Sequence, residues 1–182
     1  MNLGQTMITM GMFVLLVMSV ISANRMLMQN SETGLQTEAL TESSTIANDL
    51  FAEAQSKKFD KNDNGSGTQS PGEFTAPGGT DWGPSHAFPL PDSSYYGHSP
   101  LSIDTLKYDD VDDYNGYTRI VGADSTNGIR IGGYLVTVRV FYVNPSNPDV
   151  TVSYQTNFKR IEVDVEHPQY LPKITYTSLM SY

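Results

Sequence analysis

MNLGQTMITMGMFVLLVMSVISANRML (residues 1–27) opens the chain, and its reading decides how the rest is organised. Residues 7–23 are 17 uncharged, mostly apolar side chains, followed by the cation Arg25. A secretory signal carries a basic segment ahead of its apolar run, and MNLGQT holds neither Lys nor Arg. A membrane helix needs about 20 apolar residues, which the run reaches when counted from Leu3.

The helical pattern continues past Arg25. Met26, Leu27, Leu35, Ala39, Leu40, Ile46, Ala47, Leu50, Phe51 and Ala54 recur at intervals of three, four and seven, the stripe of an amphipathic helix. The first proline is Pro71, and only Gly11 and Gly34 weaken the pattern, each by about 1 kcal/mol. One helix is therefore expected from about residue 2 to about residue 57, ending at the Lys57–Lys58 pair, whose charge suits a helix C-terminus. At about 1.5 Å per residue it would be roughly 80 Å long. A small domain covers only its second half. The first half needs another partner.

Composition limits what that partner is. The 182 residues carry 11 cations against 20 anions, a net charge of −9, and nearly all of the charge follows residue 30. An acidic chain without a basic face argues against nucleic-acid binding. There is no cysteine, which removes disulfides, thiol chemistry and cysteine-type zinc sites.

Residues 60–100 hold seven Gly and six Pro in 41 positions. An irregular loop is expected over residues 58–105, ordered where Phe74, Trp82, Phe88, Leu90, Tyr95 and Tyr96 pack. Strand signals then take over. GYLVTVRVFYV (residues 133–143) is β-branched and aromatic, and VTVSYQT (residues 150–156) follows the turn NPSNPD. KRIEVDVEH (residues 159–167) alternates, with Ile161, Val163 and Val165 inward and Glu162, Asp164 and Glu166 outward. KITYTSL (residues 173–179) closes the chain. The expected fold class is α+β: a long N-terminal helix (residues 1–57, of which 1–28 form a hydrophobic core or membrane segment) packed on a C-terminal antiparallel head (residues 106–182) with one wet face.

This order of helix, loop and antiparallel sheet resembles the type IV pilins and pseudopilins. With Met1 in first place, Leu3, Met7 and Ile8 fall where a typical pilin has leucine, methionine and isoleucine. YDDVDDYNGY (residues 108–117), followed by strands and FKRIEVDV (residues 158–165), is similar to minor pilins of the mannose-sensitive haemagglutinin type. The resemblance covers the helix and the strand half, not the middle loop. Gln5 stands where pilins usually carry glutamate, and Ser22 where many have a helix-breaking proline.

The resemblance implies a structural, non-enzymatic subunit of an extracellular filament, held in the inner membrane before assembly and then packed in a helical homopolymer. Met1, Gln5, Met7, Ile8, Met12, Phe13 and Leu16 would serve assembly. Gln5 can hydrogen-bond the Met1 amine of a neighbour but cannot neutralise it. Flexible methionines suit an irregular helix-packed core. The alternative is a single-pass membrane anchor presenting the head as a binding module, or a minor pseudopilin of a secretion system.

Other chemistry is sparse. His86, His98 and His167 lack metal-ligand spacing, Ser85–His86 with Asp81 or Asp92 is a chance grouping, and NGIRIGG (residues 127–133) lacks the strand-to-helix setting of a phosphate cradle. No cofactor is required. DKNDNG (residues 60–65) matches the first half of a calcium loop, making Asp60, Asn62 and Asn64 candidate Ca²⁺ ligands. Pro71 occupies the twelfth place, with Glu73 nearby. Asp109, Asp110, Asp112 and Asp113 crowd four carboxylates into five residues. They need exposure, a cation such as calcium, or capping backbone donors, as in a turn that supports the head.

Overall fold

The computed structural model describes residues 3–79, 82–83, 108–122 and 132–182. Met1, the apolar residues Phe88, Leu90, Tyr95 and Tyr96 with their neighbours, His86, His98, the Ser85–His86 set and most of NGIRIGG lie outside the described residues. The chain forms two compact units, Met1–Glu38 and Ala39–Tyr182. The fold class is α+β, one long helix and one antiparallel sheet.

Helix α1 spans Leu3–Gln55 without a break, Gly11 and Gly34 included. No proline removes a backbone donor, and several hydroxyls fold back onto the preceding turn. Thr6 Oγ1 donates to the Leu3 carbonyl at 3.0 Å and Thr9 Oγ1 to the Gln5 carbonyl at 3.1 Å. The only strongly polar groups of the first two turns besides Gln5 are thereby satisfied within the helix.

In the second unit the buried helix positions are Ala39, Ser43, Ala47, Leu50 and Ala54. The expected stripe is narrower and smaller than its apolar residues suggested, since Leu40 stays exposed and Ser43 is buried. Side-chain hydrogen bonds tie this half of the helix to the sheet. Ser43 Oγ shares a 2.6 Å hydrogen bond with Tyr176 Oη, Gln55 Nε2 donates to Ser178 Oγ at 2.8 Å, and Tyr134 Oη donates to Glu42 Oε2 at 2.7 Å.

The sheet has five strands: β1 Thr118–Val121, β2 Tyr134–Asn144, β3 Asn147–Thr151, β4 Phe158–His167 and β5 Leu171–Ser181. Their order is β1-β2-β4-β5, all antiparallel, with β3 pairing only the end of β2. Val136, Val138, Val140 and Tyr142 of β2 and Ile161, Val163 and Val165 of β4 form the inner face, all buried. The alternation expected for β4 places these three as anticipated.

Two expectations are corrected. The strand expected over residues 150–156 ends at Thr151 and is exposed throughout. Its successor is a turn in which Thr156 Oγ1 donates to the Val143 carbonyl at 2.9 Å and accepts from the Phe158 N–H at 3.2 Å, so the chain swings into β4. Asp164, expected outward and wet, lies on the outer face but is buried. Arg139 Nη2 at 3.0 Å and Lys173 Nζ at 2.7 Å cover it, and Thr175 Oγ1 donates to it at 2.6 Å.

Candidate functional site

Two features stand apart from ordinary packing. The first is the start of α1. Leu3, Met7, Ile8, Met10, Met12, Phe13, Leu15 and Leu16 are exposed, Met7 at 72% and Phe13 at 68%. An 18-residue stretch of this helix is long and apolar enough to cross a membrane, and none of it is buried. A helix that is apolar all round has its stable environment in a bundle core or in lipid. Of the expected assembly residues, Gln5, Ile8, Met12 and Leu16 share one stripe by their spacing of three and four. Met7 and Phe13 face other directions, as a segment surrounded by partners requires. Exposed Met26, Leu27 and Met28 extend the apolar surface past Arg25.

The second feature is a buried charged centre in the head. Lys159 has the same strand parity as Ile161, Val163 and Val165, so β4 directs it inward, and it is completely buried. Its Nζ donates to the Phe59 carbonyl at 2.7 Å and to Asp60 Oδ2 at 3.1 Å. It also stands 2.8 Å from both carboxylate oxygens of Asp112, donating to Oδ2 and leaving Oδ1 in ionic contact without an aligned donor. Three rings surround the ammonium, with Nζ 4.5 Å from the Phe59 centroid, 4.8 Å from Tyr142 and 5.4 Å from Trp82. The residues just past α1 bring Phe59 and Asp60, the following loop brings Trp82, the aspartate segment brings Asp112, β2 brings Tyr142 and β4 brings Lys159.

The two carboxylates differ. Asp60 Oδ1 accepts from the Asn62 N–H and Thr75 Oγ1, while Oδ2 accepts from the Thr75 N–H, Tyr142 Oη and Lys159. Burial pushes its carboxyl up, but Lys159 and the Asn62 and Thr75 donors outweigh this and hold it below its ordinary value. Asp112 has Lys159 as its principal partner. Burial pushes it up to about 8, against the opposing pull of Lys159. Burial and the neighbouring Asp113 raise Asp110 to about 6.

Asp60, Asn62 and Asn64, the candidate calcium ligands, lie in the segment that follows α1. The Asp60 carboxylate is buried and its oxygens serve five donors, one of them the Lys159 ammonium. Asn64 Oδ1 accepts from the Ser66 N–H at 2.9 Å, and Glu73 accepts from the Ser70 N–H at 3.2 Å. These are local turn bonds. Among the described residues no three acidic or histidine side chains converge on an ion position.

The aspartate segment is a turn of the head. Asp109 is exposed, whereas Asp110, Asp112 and Asp113 are buried. Asp113 Oδ2 accepts from the Asp109 N–H at 2.8 Å and Asp110 Oδ1 from the Asp113 N–H at 3.2 Å. Asp112–Tyr114 form one 3-10 turn, and the Val111 N–H donates to the Lys58 carbonyl at 3.0 Å. Backbone donors and Lys159 thus supply the compensation these carboxylates need. His167 serves the β4–β5 turn, its Nδ1 accepting from the Gln169 and Tyr170 N–H groups at 3.3 Å.

Sequence reasoning missed Lys159, Thr75 and Tyr142. The signal for Lys159 is its strand parity with three inward residues, although lysine is rarely buried unless paired. Comparison of the chain with family models, curated proteins and solved structures gives no match.

Proposed function

We propose that the protein is a structural subunit of a type IV pilus-like extracellular filament, polymerising through the apolar half of α1. The observation that carries this reading is a helix whose first half exposes apolar side chains on every face while the second unit closes its own core. Burial of such a surface is worth about 25 cal/mol per Å², and identical helices can provide it for one another. Head-to-tail contacts between copies make an open-ended helical array. Lipid offers the same helix an equivalent environment, which supports an inner-membrane pool before assembly.

The second reading, a permanent single-pass anchor bearing the head as a binding module or a pseudopilin, draws on the same membrane-competent length. Mechanical shearing of cells producing the full chain separates the two. The filament reading expects the subunit in the sheared fraction, in filaments visible by electron microscopy and identified by mass spectrometry. Retention of all of it in the membrane fraction would favour the anchor.

A further inference from the structure

The buried centre is arranged for a reaction as well as for charge balance. We propose that Lys159 and Asp112 become joined by an intramolecular isopeptide bond between Nζ and Cγ, with Asp60 as the proton carrier. This inference rests on the head alone and is independent of the filament reading.

Three observations carry it. Nζ lies 2.8 Å from both oxygens of Asp112, which puts the carbonyl carbon roughly 3 Å from the nitrogen, within near-attack range. Both side chains have no solvent exposure, so bulk water cannot compete with the amine or reverse the product. The two carboxylates are also unlike. Asp60, held by five donors, is a stabilised anion and a poor electrophile. Asp112 Oδ1 has no aligned donor, and burial eases proton transfer onto its carboxylate, giving the acid form that an amine can attack. The rings of Phe59, Tyr142 and Trp82 pack around Nζ and shield it from water once the charges of Lys159 and Asp112 are gone.

The step balances without any further reagent. A proton passes from the Lys159 ammonium to the Asp112 carboxylate, leaving an amine and a carboxylic acid. The amine nitrogen attacks Cγ, and Asp60 Oδ2 takes a proton from the nitrogen as the new bond forms. Asp60 returns that proton to the departing hydroxyl, the carbon–oxygen bond breaks, and one water leaves. Asp60 ends as it began, now accepting from the amide N–H. The link ties the aspartate turn to β4 across 47 positions of sequence, enclosing β1, β2 and β3 in a covalent loop.

The test is the mass of the full chain purified in detergent, followed by digestion and fragment sequencing. The folded wild type should be lighter than its sequence by one water, with Lys159 joined to Asp112 in a branched peptide. Asp112→Ala should keep its full mass. Asp112→Asn should lose ammonia instead and reach the same final mass as the linked wild type, a result that a misfolded variant cannot give. In chains isolated unfolded and still unlinked, then diluted from denaturant, Asp60→Asn should form the link about a hundredfold more slowly than the wild type. A folded wild type at full sequence mass would overturn the proposal. A branch mapped to Asp60 would overturn the assignment of Asp112, and an unchanged rate in Asp60→Asn would overturn the proton role.

Discussion

Lys159 shows how one residue can organise a domain. A lone buried ammonium is untenable, so its position requires Asp60, Asp112 and the Phe59 carbonyl to arrive together. Lys159→Met removes the cation and leaves two carboxylates facing each other in an apolar box. The expected loss of stability is about 3–5 kcal/mol, measured by denaturant unfolding of the full chain in detergent. A second residue sets acid sensitivity. Burial raises the Asp164 carboxyl, but hydrogen bonds from Lys173 and Thr175 and the charges of Arg139 and Lys173 hold it below its ordinary value. A carboxyl so depressed binds protons more readily when unfolded, so its contribution is present above about pH 4 and lost as pH falls below that. Melting temperature should therefore decline less steeply in acid for Asp164→Asn than for the wild type.

At the scale of the element, α1 has different demands along its length. Ala39 and Ala47 are almost completely buried while Leu40 is 48% exposed. Ala47→Leu should cost about 1–3 kcal/mol by overpacking, whereas Leu40→Ser should stay within about 0.5 kcal/mol. A reversed order in thermal melts would contradict the helix register. Residues 14–25 contain neither Pro nor Gly, so every backbone N–H there can keep its helical partner, and exposing those groups in an apolar core would cost several kcal/mol. In a filament map this segment should remain helical. An extended stretch between Val14 and Arg25 would refute that expectation.

For the whole molecule, assembly and head stability should separate. Ile8→Lys or Leu16→Lys places a charge in a segment that needs apolar neighbours. Filament yield should fall at least tenfold while the head's melting temperature is unchanged, because neither side chain belongs to the unit Ala39–Tyr182. A parallel loss of head stability would show that the two units are energetically coupled.

The long helix, the antiparallel sheet and the inward residues of β4 were legible in the sequence because each rests on local periodicity, a property of a few consecutive residues. So was the apolar run at the start of α1, which stands exposed among the described residues. The fate of the acidic residues was not legible. DKNDNG reads as half a calcium loop and YDDVDDYNGY as a repelling cluster, and neither shows that β4 carries Lys159 to an aspartate of each, from 99 and 47 positions away. Only the tertiary structure decides that meeting, because the energy of a buried charge depends on which distant groups share its cavity.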